Sequence, residues 1–170
     1  MWALSYLKDH DDAAFAVAVS RLPAAPRTRL QLLANPRSET LARTLSNHSG
    51  AAYAGQWVPV RERYLTALKA KSPVGAGVLS ALVPGAGQAY AGSWQAAGIA
   101  FVLNAVFISA TIELALSDLP VTAAAAGFVA SFFYVGNVIS AGQLANQRNR
   151  ERAQPHYEQL ERILVPEAHP

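Results

Sequence analysis

The order of apolar and polar positions divides the chain into stretches of different character. Over 3–22 (ALSYLKDHDDAAFAVAVSRL) it predicts two short helices joined at Asp9–Asp12. Their spacing, with Ala3 and Tyr6 before the Asp turn, fits an ordinary helical hairpin better than the part of a tetratricopeptide repeat that it loosely resembles. Pro23, Pro26 and Pro36 punctuate the next stretch, around a short helix over Arg27–Leu33. Ser38 and Thr40 supply a start signal for a helix ending near Asn47. Pro59 suits the first turn of a helix running to about Lys71. On that helix Val60, Tyr64, Ala67 and Leu68 share a face, while Arg61, Arg63, Lys69 and Lys71 supply positive charge. Such a helix fits an anionic membrane surface, and it equally fits a partly solvated position packed on the N-terminal segment.

From Ser72 to Gln147 the pattern changes. These 76 residues hold two charges, Glu113 and Asp118, and all 14 Lys and Arg lie outside them. Val74–Val83 is an apolar run of ten residues closed by Pro84-Gly85-Ala86-Gly87. At about 1.5 Å rise per residue it is too short to cross a hydrocarbon core of about 30 Å. Trp94–Leu116 has 23 residues and Pro120–Ala145 has 26, so each is long enough to span, with Ser117–Leu119 as a tight connection. A soluble protein could not cover 76 nearly uncharged residues with the 94 that remain.

The charges set the expected topology. Residues 1–71 carry ten basic and five acidic groups, and residues 148–170 carry four of each. Arg61, Arg63, Lys69 and Lys71 precede the apolar region, Arg148, Arg150 and Arg152 follow it, and the central connection offers only Asp118. Two crossings put both basic flanks on the cytoplasmic side, with both termini there. Val74–Val83 then becomes a re-entrant or interfacial half-helix. The first 20 residues have no basic leader region, so a cleaved signal peptide is not expected. The sequence has no cysteine, which excludes disulfides, thiolate metal sites and a cysteine nucleophile. No Lys/Arg block with interleaved aromatics is present, so the net charge of +3 is not a nucleic-acid signal. Eleven Arg against three Lys, with abundant Ala, fit a GC-rich bacterial source.

The motif richest in information is the run from Lys71 to Gly92, KSPVGAGVLSALVPGAGQAYAG. Pro84 ends a helix at its predecessor, and the glycines permit positive φ and close backbone approach. Gln88 can satisfy backbone groups freed by the broken helix, which are costly at membrane depth. Tyr90 and Trp94 suit an interfacial belt. No Lys-Ser/Thr follows the glycines, so a phosphate loop is not indicated. A second pattern echoes the first: Gly50–Trp57 (GAAYAGQW) matches Gly87–Trp94 (GQAYAGSW) at six of eight positions, as a degenerate duplication would.

On Pro84, Gly85, Gly87, Gln88, Tyr90 and Gly92 the chain resembles the two-transmembrane (TM-two-like) domain superfamily, over residues 71–147. The likeness is to the bacterial branch with Pro-Gly-x-Gly-Gln-x-Tyr-x-Gly, which Asn104, Tyr134, Gly136 and Asn137 also fit. The His and acidic residue near the second span of the better-known branch are lacking. The resemblance implies a membrane hairpin and no established catalytic activity.

Within the spans, Asn104, Tyr134 and Asn137 are the polar residues expected between the helices, since interhelical hydrogen bonds help hold helices whose lipid surroundings supply no hydrophobic drive. Ala97, Ala100, Asn104 and Thr111 share a face of the first span, and Gly127, Ala130, Tyr134, Asn137 and Ala141 a face of the second. A turn centred on Leu119 sets Asn104 opposite Tyr134, with Asn137 one turn away. Glu113 is expected at the outer interface. His10, His48, His156 and His169 are widely separated and pair with no carboxylate at metal-ligand spacing, and no nucleophile motif is present. After a break at Pro155, Tyr157, Leu160 and Leu164 share a face that fits docking on the protein's own cytoplasmic part or on a partner.

The expected architecture is therefore an all-α integral membrane protein with three parts. Residues 1–70 form a cytoplasmic or interfacial helical segment, a possible degenerate repeat. Residues 71–147 form the half-helix and two-helix hairpin, and 148–170 a basic cytoplasmic tail with a short amphipathic helix. The expected role is a non-enzymatic inner-membrane accessory or scaffold, with an oligomeric channel or transporter subunit, or a lipid-binding membrane protein, as alternatives. Membrane lipids and a membrane-protein partner or second copy are its expected contacts, with no nucleic acid, metal or cofactor.

Overall fold

The structure, a computed structural model, describes residues 12–117 and 119–166. The first of the two N-terminal helices expected from the sequence, and Asp118 in the central connection, lie outside the described residues. Every regular element described is a helix: α1 Asp12–Ser20, α2 Ala24–Ala34, α3 Glu39–Ser49, α4 Ala51–Ala67, α5 Pro73–Leu82, α6 Ala86–Ala91, α7 Trp94–Leu116 and α8 Pro120–Leu164. The chain divides into two compact units. One holds α1–α4 together with α8 from Arg152 onward, and the other runs Leu68–Glu151.

The first unit is held by an apolar core that gathers α1, α2, α3, α4 and the end of α8. Val19, Leu32, Leu33, Leu45, Trp57, Val60, Leu160 and Leu164 are all buried in it. Its turns are closed by polar side chains that meet backbone groups left over at helix ends. Arg27 donates from Nη2 to the Ser20 and Leu22 carbonyls at 2.8 and 2.7 Å, closing the α1–α2 turn. Ser38 caps α3 by accepting from the Leu41 N–H. Gly50, at φ 75°, joins α3 to α4. Tyr53 donates to the Ile163 carbonyl at 3.1 Å, and Tyr64 and Tyr157 sit with ring centroids 5.7 Å apart. Burial, with the Glu161 carboxylate and Tyr64 nearby, pushes the Tyr157 phenol up to about 12.

Three sequence expectations are corrected here. The helix expected to start at Pro59 starts at Ala51 and carries Pro59 inside it. Pro59 and Gly55 are exposed, so water can take the Gly55 carbonyl that the missing N–H leaves free. Arg61 is not part of a cationic membrane face. It is buried, donating from Nε to the Pro36 carbonyl and from Nη2 to Glu39 Oε1, both at 2.7 Å. That guanidinium holds the Glu39 carboxyl below its usual range. The helix therefore packs on the N-terminal segment, the second of the two readings. The break expected at Pro155 is absent: α8 continues through it to Leu164, and Leu160 and Leu164 complete the first unit's core. Pro155 is exposed, so water can take the carbonyl its missing N–H leaves free.

The echo between 50–57 and 87–94 is not a structural repeat. Trp57 is fully buried while Trp94 is 77% exposed. Gly55 lies within α4, whereas its counterpart Gly92 takes φ 92° to end α6.

In the second unit α7 and the apolar part of α8 are the two helices long and apolar enough to cross a membrane. The 23 residues of α7 give about 34 Å of helix. In their most apolar windows only 6% and 11% of residues are buried, so neither is a core helix of this chain. Ile99, Phe101, Val102, Val106, Phe128, Phe132 and Val135 are among the large apolar side chains left exposed. Helix α5 lies antiparallel to α8. Pro73 faces Gly142, Gly77 faces Val138, and Ala81 meets Tyr134, a step of four residues along each helix.

Candidate functional site

The site is the broken helix between α5 and α7, together with the faces of α7 and α8 that close around it. Ser72 caps α5 by accepting from Gly75 N–H at 3.0 Å, and Pro73 follows at the first helical position. Val83, preceding Pro84, is forced into extended backbone and ends α5. Gly85 then takes φ 92°, where a side chain is strained, and a Cβ there would overlap the Ala97 carbonyl oxygen. Gly87 serves the second of the two roles expected of the turn glycines, close backbone approach: its backbone touches α5 and α8. A Cβ on Gly87 would overlap the Ala76 carbonyl oxygen and sit 2.8 Å from the Ala141 Cβ. Gly92, again at φ 92°, ends α6.

Breaking a helix frees backbone groups, and some of them find side chains. Gly87 N–H donates to Ser80 Oγ at 3.0 Å, and Ser80 donates in turn to Gln88 Oε1 at 2.8 Å. Gln88 Nε2 donates to Asn137 Oδ1 at 2.6 Å, with the Asn137 carbonyl and Ser140 Oγ both at 3.1 Å. The half-helix is thus tied to α8 through Gln88, and the freed amide goes to Ser80 rather than to Gln88 as expected. Ser80 was legible only as a small polar residue four positions before Pro84.

Of the partners expected for Asn104 (Tyr134, Asn137 or an adjacent carbonyl), the structure shows a carbonyl. Tyr134 donates to the Ala81 carbonyl, one of the last four carbonyls of α5 that lack an intrahelical partner. Asn104 donates to the Ala100 carbonyl of its own helix at 2.8 Å. Asn104 is nevertheless 3% exposed and Asn137 7% exposed, and both line one groove between α7 and α8. The helices themselves meet at Phe107 and Phe133, stacked at 4.5 Å, and where Gly127 leaves room for the Thr111 methyl. Glu113 is exposed.

At the other end of the unit Asn149 clamps the Lys71 peptide. Its Oδ1 accepts from Lys71 N–H at 2.9 Å and its Nδ2 donates to the Lys71 carbonyl at 2.7 Å. Tyr90 accepts from Ser72 N–H at 3.1 Å and presents its ring to Lys71 Nζ, 4.6 Å from the centroid. Nothing in the sequence pattern linked Asn149 to Lys71, which stands 78 positions away.

The groove between α7 and α8 encloses about 640 Å³. Gln88, Asn104 and Asn137 form its buried floor, and Ile99, Leu103, Phe132 and Phe133 its exposed apolar rims. Its polar groups are amides and hydroxyls, which can donate and accept hydrogen bonds but supply neither a base nor an activated nucleophile. Among the described residues no three His, Asp or Glu side chains converge as metal ligands would. Set against family models, curated proteins and solved structures, the chain matches none of them.

Proposed function

We propose that this chain is a non-enzymatic accessory or scaffold component of a bacterial inner-membrane assembly. In this reading α7 and α8 cross the bilayer as a hairpin, α5 enters it as a half-helix, and the first unit sits in the cytoplasm. One observation carries the reading: the core of the first unit is assembled from chain on both sides of the hairpin. Trp57 and Leu33 come before it, and Leu160 and Leu164 after it, within one cluster. A core of that kind requires both flanks to share a compartment, so the chain crosses an even number of times. That argument is independent of the basic flanks, which favour the cytoplasm for both. The exposed apolar surface of α7 and α8 supports lipid as their surroundings. The resemblance of Pro84, Gly85, Gly87, Gln88, Tyr90 and Gly92 to the bacterial two-transmembrane superfamily supports the hairpin, with a folded cytoplasmic unit to present to a partner.

The purified protein in liposomes is expected to pass no ion or solute above the protein-free background. In native membranes, a cross-linker placed at Arg43→Cys on the first unit is expected to give one discrete adduct with another membrane protein. Specific flux would replace the scaffold reading with an oligomeric channel or transporter subunit. Absence of any adduct would also contradict it.

A further inference from the structure

We infer that the groove between α7 and α8 is a binding site for an uncharged lipid whose polar end is an O–H group, a hydroxyl or a protonated carboxyl, on a long apolar chain. The inference rests on the membrane reading above. The polar end is specified by two side chains, each more than nine-tenths buried. Asn137 Nδ2 is a buried donor without a partner among the described residues. Asn104 uses its Nδ2 on the Ala100 carbonyl, and its Oδ1 accepts from nothing among the described residues. The buried floor therefore offers free N–H donors on Asn137 and a free acceptor on Asn104. An O–H group has the matching chemistry, since it can donate to Asn104 and accept from Asn137. An ester carbonyl alone only accepts, and an ammonium group only donates.

The absence of charge in the ligand follows from the lining, which includes no Asp, Glu, Lys, Arg or His. An ionised group brought there would be desolvated without a counter-ion. Depth points the same way. Asn137 lies 11 residues from Arg148 along α8, about 16 Å at 1.5 Å per residue. A phosphate held at the basic flank does not reach that far into the bilayer, whereas a small neutral group does. The chain end is accommodated by Ile99, Leu103, Phe132 and Phe133, and the volume of about 640 Å³ lies within the roughly 300–1,000 Å³ of sites that hold one small molecule.

The test uses the full-length protein in phosphatidylcholine vesicles containing a trace of one photoactivatable lipid: a diacylglycerol, a fatty acid, or phosphatidylcholine itself. At least one O–H probe is expected to label groove residues saturably and to be displaced by its unlabelled form. Labelling by the fatty acid that falls with rising pH identifies the protonated acid as the source, and pH-independent labelling by the diacylglycerol identifies the hydroxyl. Asn104→Leu is expected to reduce that labelling about fivefold, as loss of a modest interhelical-type hydrogen bond would. Gly136→Leu fills the groove from a position where an added Cβ meets nothing within 4 Å. It should cut labelling at least about tenfold while helix content and vesicle flotation stay unchanged. Equal labelling by phosphatidylcholine, full labelling of Gly136→Leu, or cross-links joining two copies through the groove would overturn the assignment and leave the membrane reading standing. A protein that does not float with the vesicles would overturn the membrane reading, and the groove assignment with it.

Discussion

Gly87→Ala is expected to destabilise the second unit by about 3 kcal/mol, the upper part of the range for forcing a methyl group into a filled space. The added methyl would overlap the Ala76 carbonyl oxygen, sit 2.5 Å from Ser80 Oγ and press on Ala141. The first is backbone and cannot turn aside. Displacing Ser80 would also break the Gly87–Ser80–Gln88 relay that fastens the half-helix to α8. Gly98→Ala is the matched control, since a Cβ there meets nothing within 4 Å and alanine favours the helix by up to about 1 kcal/mol. Thermal unfolding in detergent should separate the two variants clearly. If Gly87→Ala melts with the parent protein, the close approach of α6 to α5 and α8 is not present in solution.

Trp57→Ala is expected to cost the first unit about 3–5 kcal/mol. Trp57 is the largest fully buried side chain there, and the helices before and after the hairpin pack on the same cluster. Its removal leaves a cavity where α4 and the end of α8 belong to one core. For a unit of this size the midpoint of unfolding should fall by more than about 10 °C. Trp57→Phe should lose much less, because the buried indole N–H has no partner among the described residues and its removal also removes a desolvation cost. A Trp57→Ala protein that melts within a few degrees of the parent would mean that the core of the first unit is not cooperative.

How much of this was legible in the sequence depends on whether the signal was local. Helix α7 has the bounds Trp94–Leu116 that its apolar run predicts, and α5 is displaced by one residue from Val74–Val83, because Ser72 and Pro73 are a local cap. Ser38 marks the start of α3 for the same reason. Proline misled at 59 and 155, where packing and solvent tolerate it inside a helix; local rules carry no information about either. The candidate site divides in the same way. Gly85 and Gly92 have the positive φ that a broken helix needs, but Gly87 is small for contacts with residues 11 and 54 positions away in the chain. Asn104 and Asn137 reach the α7–α8 groove, as the shared helical faces indicate. The partner of Tyr134 is not legible in the sequence, because the free carbonyl of Ala81 appears only once α5 is known to end beside α8. Asn149 and Lys71, and Gln88 and Asn137, meet across 78 and 49 positions, distances over which one sequence carries no pairing signal.

The claim on which everything else depends is that one core, built from chain on both sides of the hairpin, holds both flanks in one compartment while the α7–α8 connection faces the other. The native chain has no cysteine, so single cysteines report without background. Thr40→Cys and Gln154→Cys lie on exposed positions of the first unit, before and after the hairpin, and Ser117→Cys lies on the exposed end of α7. An impermeant thiol reagent applied to intact cells is expected to label Ser117→Cys and to leave the other two untouched until the membrane is permeabilised. Labelling of Thr40→Cys or Gln154→Cys without the other would contradict the account, because the two flanks could not then share one folded core.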